Sequence, residues 1–284
     1  MIGAAFRAEW FKLVRRPATW VVIALFLALA IAIGYVVTYL VVAHPPANGP
    51  RNLDLGAMRS GLYPSSLVPK TLSAATTIDG LFALILGVLV QGSEFAWGTL
   101  KTAQTQLPGR LSILSGRLLS LAALLLLMTA ALFAVDALAS SIVAAIDGKT
   151  VALPDGWTIA KGVAAAWLVL AFMAVFGFGL ATIFKQSAMA IGIGLAYVLL
   201  FETLLFGLLG SLGNTVKAIH VWFPVANAGY LADAFGKVAA IGNGAGTATS
   251  TPDASGAHAV VVLALWIAAL VLISGALVRK RDIA

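Results

Sequence analysis

Three carboxylic acids stand inside otherwise apolar stretches of the sequence, namely Asp79, Asp136 and Glu202. A carboxylate near the centre of a bilayer costs about 2.5–3.5 kcal/mol, and ionisable groups at such depth commonly mark pathways for ions or substrates. One interpretation is therefore a polar lining of an outer cavity or exit path, with Lys70 or Lys161 nearby. The other is hydrogen bonding between helices, or side chains that extend toward the membrane surface. The residues alone leave both interpretations open.

No other constellation in the sequence has the spacing of an enzyme site. The chain has no cysteine, no HExxH and no paired-carboxylate motif, and its histidines (His44, His220 and His258) lie outside the apolar stretches. The tripeptide GKT at 148–150 resembles the end of a Walker A motif, but Val143 stands where the first glycine is required. We therefore expect no catalytic residue, no metal site and no ATP hydrolysis on this chain.

The composition indicates a membrane protein. Hydrophobic residues make up 61% of the 284 residues and charged residues only 10%, whereas soluble domains carry roughly 25% charge. Because so few charges cannot cover a water-facing surface, lipid must be the solvent. The net charge of +7 would suggest nucleic acid in a soluble protein, but membrane proteins collect basic residues in cytoplasmic loops. We expect no nucleic-acid partner.

Six apolar stretches are long enough to cross a bilayer, which requires roughly 20 residues per helix. They cover residues 18–42, 72–93, 118–146, 160–184, 188–210 and 259–278. The first is too long for the apolar core of a cleaved signal peptide and is predicted to be retained. The sequence thus predicts an all-α, polytopic membrane protein, in which residues 1–284 form a single transmembrane domain with six helices.

The distribution of lysine and arginine predicts that both termini lie in the cytoplasm. With that orientation, 11 of the 18 basic residues occupy the inner segments, including the RR at 15–16 and the RKR at 279–281. Positive residues close to the ends of transmembrane helices set orientation in this way. Residues 211–258 then form a long extracytoplasmic segment, whose role the sequence leaves open.

The stretch QGSEFAWGTLKTAQTQLPGR, residues 91–110, is predicted to contain a short amphipathic helix on the inner membrane face. The apolar positions that recur at helix spacing are Ala96, Leu100, Ala103 and Leu107. Ser93 is predicted as the N-cap, and Pro108-Gly109 ends the helix. From this pattern alone, a helix that rests on lipid headgroups is the alternative to one that docks a partner.

Residues 1–17 are predicted to form a second amphipathic helix, which anchors the chain in the membrane interface. Its apolar positions are Phe6, Trp10, Leu13 and Val14, and its polar positions are Arg7, Glu9, Lys12, Arg15 and Arg16. A basic helix with an aromatic face lies in the interface plane. Pro17 then ends the helix before the first apolar stretch.

Three local patterns together suggest a family. The first is E-x-x-K-x-x-R at Glu9, Lys12 and Arg15. The second is E-x-x-x-G-T-L-K followed by P-x-R and a glycine–basic pair, at Glu94, Gly98, Thr99, Leu100, Lys101, Pro108, Arg110, Gly116 and Arg117. The third is WFPVANAGYL at 222–231. In this order, over essentially the whole chain, they resemble the permease subunit of ABC-2 type ATP-binding-cassette exporters, although TAQTQ at 102–106 is more polar than the family pattern.

The resemblance implies that the helix between spans two and three is a coupling helix, which inserts into a groove on a separate ATPase. Glu94, Gly98, Thr99 and Lys101 would form or brace that contact. The expected partners are two copies of a cytoplasmic ABC ATPase, which carry the ATP and Mg, a second permease that is identical or related, and membrane lipid. This chain itself would bind no cofactor.

The expected function is export across the plasma membrane of a prokaryote, with this chain forming half of the translocation pathway. An ion- or proton-coupled secondary carrier or channel is the alternative, because such proteins also carry charges inside the membrane. The transported substrate does not follow from these residues, and neither does the choice between a homodimer and a heterodimer of permeases.

Overall fold

The computed structural model describes residues 2–45, 54–96, 110–209, 214–238 and 254–280. Nearly every residue in these ranges is helical, and none of them lies in a β-strand. The all-α prediction is therefore confirmed for the described part of the chain.

Twelve helices are described along the chain. They are α1 (Ile2–Arg15), α2 (Pro17–Ala43), α3 (Leu55–Ser60), α4 (Leu67–Ala75), α5 (Ile78–Ala96), α6 (Arg110–Ile146), α7 (Gly156–Phe184), α8 (Ser187–Ala196), α9 (Glu202–Leu209), α10 (Asn214–His220), α11 (Pro224–Asp233) and α12 (Gly256–Lys280). A π-helical segment, Ala32–Val37, lies within α2, and a second one, Tyr197–Phe201, joins α8 to α9.

Five helical units are long and apolar enough to cross a membrane. They are Pro17–Ala43, Leu111–Ile146, Gly156–Phe184, Ser187–Phe206 and Gly256–Arg279. Each coincides with one of the six predicted windows, and all five begin one to seven residues earlier than predicted because residues beside the apolar core continue the helices. The protein is thus a multi-pass membrane protein in its described part.

The predicted window 72–93 is not one continuous helix. It divides into α4, with the preceding turn from Pro64, and α5, and the two are bent by 48° at the break. The hydroxyl groups of Thr76 and Thr77 donate to the carbonyl oxygen of Ser73, and side-chain bonds of this kind compete with the helical ladder. The pair makes a sixth span only if both halves count as one.

Helix α7 forms the centre of the bundle, with α5, α6, α8 and α12 packed around it. Glycine permits the closest approach, between α5 and α7. A Cβ atom on Gly87 would lie 1.8 Å from the carbonyl oxygen of Ala174, and one on Gly177 would lie 2.2 Å from that of Leu84. Both contacts exclude any larger residue. The small-residue run FGFG at 176–179 therefore serves helix packing, as such runs do in membranes.

Candidate functional site

Helix α1 lies against the start of α6 instead of standing alone on lipid. Its buried positions are Ala5, Glu9 and Leu13, which recur every four residues along one face. On α6, Gly116 allows the approach, since a Cβ atom there would lie 2.8 Å from the carbonyl carbon of Ala5. The glycine of the predicted glycine–basic pair therefore has a packing role at this contact.

Glu9 is the charged residue at the centre of this contact. Its Oε1 lies 3.4 Å from Nε of Arg117 and 3.1 Å from Nζ of Lys12. Arg117 is 2% exposed and also donates to Oε1 of Gln91 on α5, at 3.1 Å. The placement of Glu9 on the outward polar side of α1 is therefore wrong. A buried carboxylate is tolerated here because it is paired with a guanidinium.

Arg16 provides a second connection between the N-terminal segment and α5. It donates to Oγ of Ser93 at 2.6 Å and to the carbonyl oxygen of Leu89 at 3.4 Å. The prediction that Ser93 is an N-cap is wrong. Helix α5 continues through Ser93 to Ala96, and the Ser93 hydroxyl donates to the Leu89 carbonyl oxygen one turn earlier. We call Glu9, Arg16, Gln91, Ser93 and Arg117 the α1 junction.

The α1 junction borders both ends of the predicted coupling helix. Gly98, Thr99, Leu100, Lys101 and Pro108 lie outside the described residues, and so do the side chains of Glu94 and Arg110. Their role stays a prediction. The described chain reaches Ala96 at the end of α5 and resumes at Arg110 at the start of α6, so that the junction braces both helices that flank this segment.

The outward surface of α1 keeps the features of an interfacial helix. Trp10 stacks on Phe6 with ring centroids 6.1 Å apart. Phe11 is 56% exposed, and the guanidinium of Arg15 lies 4.4 Å above its ring. Aromatic and basic side chains on one exposed surface suit the boundary between headgroups and acyl chains. The interfacial role of Trp10, Lys12 and Arg15 stays a prediction.

A second polar group lies inside the bundle, where α2, α4, α5 and α6 meet. Asp136 of α6 is 3% exposed. Its Oδ2 accepts a hydrogen bond from Oγ1 of Thr71 at 2.7 Å, and its carbonyl oxygen accepts one from the Tyr35 hydroxyl at 3.1 Å. Asp136 is thus tied to both α4 and α2.

Lys70 and Asp79 complete this group. The ammonium of Lys70 donates to the carbonyl oxygen of Gly34 at 2.7 Å and lies 3.3 Å from the centre of the Tyr35 ring. Asp79 is 1% exposed, and its Oδ2 has no hydrogen-bond partner among the described residues. The charge of Asp136 interacts with both Lys70 and Asp79. We call Tyr35, Lys70, Thr71, Asp79 and Asp136 the acidic cluster.

Glu202 lies apart from the acidic cluster and has a structural partner. Its two carboxylate oxygens accept the backbone N–H groups of Val225 at 3.2 Å and Ala226 at 2.6 Å. These donors belong to the first turn of α11, which begins at Pro224 and has no capping side chain of its own. An anionic group at this position satisfies unpaired N–H groups and suits the helix dipole. The structure therefore groups only two of the three predicted acids.

Of the two lysines expected near the acids, only Lys70 is close to one. Lys161 instead lies 5.9 Å from the Trp157 ring, within α7. Sequence reasoning missed Tyr35 and Thr71 as partners of Asp136. Their only signal is that each is a hydroxyl-bearing residue in or beside an apolar run, and such residues are common in membrane helices.

Sequence reasoning also missed an ion pair outside the apolar spans. Arg59 of α3 holds Asp147, just after α6, with Nε–Oδ2 and Nη2–Oδ1 distances of 3.1 and 2.9 Å. The Tyr63 hydroxyl donates to the same carboxylate at 2.9 Å. The bonds from Arg59 and then from Tyr63 lower the pKa of Asp147. This pair fastens the segment before α4 to the end of α6.

Comparison with known proteins gives one family. No group of three or more potential metal ligands occurs in the described ranges. No curated protein matches the sequence. A family model described as "protein of unknown function (DUF2705)" matches residues 70–284, a range that includes Lys70, Asp79, Arg117, Asp136 and Glu202. Because this match covers well over half of the chain, the protein belongs to the DUF2705 family.

Proposed function

We propose that the protein is the permease subunit of an ATP-driven exporter of the ABC-2 type, coupled to a separate ATPase. The observation that carries this proposal is the α1 junction. Arg16 binds the end of α5, Glu9 binds the start of α6 through Arg117, and Gln91 links Arg117 back to α5. Three helices are thereby joined at the two ends of the segment 97–109.

Such a connection is what a force-receiving segment requires. A push on residues 97–109 reaches α5 and α6 together, because Arg117 is bonded to both α1 and α5. The tight backbone contact at Gly87 and Ala174 passes the movement of α5 to α7. The bend between α4 and α5 lies at the far end of α5 and provides a point at which α5 tilts while α4 stays in place.

The proposal includes a topology. Both termini and the α1 junction face the cytoplasm, in agreement with the surplus of basic residues at that end. The pair α4–α5 then counts as one broken span, and the total is six. The permease works as a dimer with an identical or related copy, and two ATPase subunits supply ATP and Mg.

The test is affinity purification of the full chain from its native membranes. We expect an ABC ATPase in stoichiometric amount and transport that stops when its ATP hydrolysis is blocked. The variant Glu94→Ala/Lys101→Ala should lose the ATPase. The matched control is Lys185→Asn at another loop on the same side, where Asn tolerates the positive φ of 55°, and it should retain the ATPase.

A secondary carrier or channel is the second candidate, because Asp79 and Asp136 are buried acids of the kind that couple ions to transport. The same purification distinguishes an ATP-driven exporter from a secondary carrier or channel. Transport by the purified chain alone, driven by an ion gradient and without any ATPase, would replace the exporter with the carrier.

A further inference from the structure

We propose that Asp79 is a proton-binding site inside the membrane-spanning bundle, held in its neutral form beside the ionised carboxylate of Asp136. The site depends on the geometry of the acidic cluster and not on the source of energy for transport. It would operate in an ATP-driven exporter and in a secondary carrier alike.

The surroundings of Asp79 disfavour its charged form. The residue is 1% exposed, and no described group donates a hydrogen bond to its Oδ2. An ionised carboxylate with an unsatisfied oxygen in such a place carries the full cost of its lost hydration. A proton on Oδ2 removes the charge and with it most of that cost.

Asp136 is the neighbouring acid that stays ionised. Asp136 receives the Thr71 hydroxyl at 2.7 Å, and its charge interacts with the ammonium of Lys70. No described group donates to Oδ2 of Asp79, and the charge that acts on this carboxyl comes from Asp136. Two neighbouring buried carboxylates do not both ionise. Asp136, which accepts the Thr71 hydroxyl, keeps the negative charge, and Asp79 keeps the proton.

The summed charge of the acidic cluster also favours a neutral Asp79. The side chain of Lys70 donates to the Gly34 carbonyl oxygen and lies over the face of the Tyr35 ring, and both contacts favour its cationic form. Lys70 and Asp136 together are neutral, so an ionised Asp79 would leave one uncompensated negative charge in the bundle. Of the other packed elements, α2 presents Tyr35, whose hydroxyl is committed to the Asp136 carbonyl, and α7 presents the uncharged Met173 beside Gly80.

Asp79 is close in sequence to an exposed position. Asp79 is two residues from the exposed Thr77, at the break between α4 and α5. The proton comes from water. An O–H bond forms at the Asp79 carboxylate, hydronium becomes water, and the charge of the residue changes from −1 to 0. Because α4 and α5 are bent relative to each other at this break, uptake and release of the proton change the charge next to the bend.

Infrared spectroscopy of the full chain in lipid nanodiscs tests the site. At neutral pH we expect the C=O stretching band of a protonated carboxylic acid, shifted in D₂O. The band should be absent in Asp79→Asn. It should persist in Glu202→Gln, because Glu202 lies apart from the acidic cluster and its carboxylate accepts two backbone N–H groups. In Asp136→Asn, the titration midpoint of the band should move to lower pH.

Every outcome of the infrared experiment either supports or overturns the proposal that Asp79 binds a proton. A folded wild-type protein without this band, or with a band that Asp79→Asn leaves unchanged, would overturn the proposal. A variant Asp79→Asn that does not fold would also contradict it, because asparagine has the shape of the neutral acid. None of these results bears on co-purification of the ATPase, so the two proposals fail independently.

Discussion

The α1 junction and the acidic cluster both bury charged side chains, but they satisfy these charges in different ways. At the junction, the acid Glu9 meets two cations, Lys12 and Arg117, and Arg117 has a further acceptor in Gln91. The acidic cluster contains two acids but one cation, whose charge interacts with Asp136, and one carboxylate oxygen of Asp79 has no donor among the residues described.

This difference suits the two regions to different roles: the α1 junction holds helices together, and the acidic cluster changes its charge. A pair of opposite charges with additional bonds has one low-energy arrangement and holds helices together. A cluster with more acids than its cation can compensate holds one acid in its protonated form, and its charge then depends on its surroundings. The junction therefore suits the transmission of force, and the acidic cluster suits the binding of a proton.

The largest effect is expected at the junction from Arg117→Ala. It leaves Glu9 buried without its main partner, and breaking a buried pair in this way costs about 3–5 kcal/mol. Thermal unfolding in detergent measures the loss. The exposed Arg7→Ala on the same helix is the control and should change stability by no more than about 0.5 kcal/mol. Equal effects of the two variants would show that Glu9 and Arg117 are not coupled.

The second-largest loss of stability is expected from Asp136→Asn in the acidic cluster, and it should exceed the loss from Asp79→Asn. Asp136→Asn removes the charge that the Thr71 hydroxyl and Lys70 interact with, and hydrogen bonds to charged groups contribute about 1.5–3 kcal/mol. Asp79→Asn should cost less than about 1 kcal/mol, because it replaces a neutral acid with a neutral amide of the same shape. The comparison uses the same unfolding measurement. A larger loss for Asp79→Asn would reverse the assignment of the proton.

A glycine substitution tests how closely α1 must approach α6. Gly116→Ala places a methyl group 2.8 Å from the Ala5 backbone, and overpacking of this kind costs about 1–3 kcal/mol. Gly192→Ala is the matched control, since no atom lies within 4 Å of its added Cβ. We expect it to be neutral or to stabilise α8 by up to about 1 kcal/mol. Unfolding midpoints that agree for the two variants would argue against close packing at Gly116.

The smallest effect concerns the ion pair of Arg59 and Asp147, which lies outside both regions. The pKa of Asp147 is lowered by Arg59 and Tyr63, so its stabilising effect is present above the ordinary aspartate pKa of about 3.9 and is lost as the pH falls below it. The difference in stability between wild type and Asp147→Asn should therefore shrink on acidification, and also in high salt. A difference that grows at low pH would contradict the lowered pKa.

The spans could be predicted because hydrophobic length is a local property. The window 18–42 agrees with Pro17–Ala43, and 160–184 agrees with Gly156–Phe184 within four residues. The break at Thr76 and Thr77 was not predicted, since two threonines in an apolar run carry no sign of whether their hydroxyls bond to the backbone. Ser93 was misassigned for the same reason, because a serine that caps a helix and one that continues it look alike in sequence.

The site residues could be chosen from the sequence but their partners could not. Asp79, Asp136 and Glu202 stood out equally as acids in apolar runs. One has an unpartnered oxygen, one binds a threonine, and one caps a helix that begins 22 residues later, at Pro224. Their different roles depend on the neighbouring helix, which the local sequence does not contain.

By itself, the amino-acid sequence determined that this protein is an all-helical membrane protein, because the bilayer selects for long apolar helices wherever they occur along the chain. It also marked the acids and the basic ends of the spans, since charges in such a background are few. Only the tertiary structure decided that Glu9 turns inward to Arg117, that Lys70 stands near Asp136, and that Oδ2 of Asp79 has no donor in the described part of the chain. The physical reason is that a buried charge is stabilised by groups from other helices, and their proximity exists only once those helices have packed.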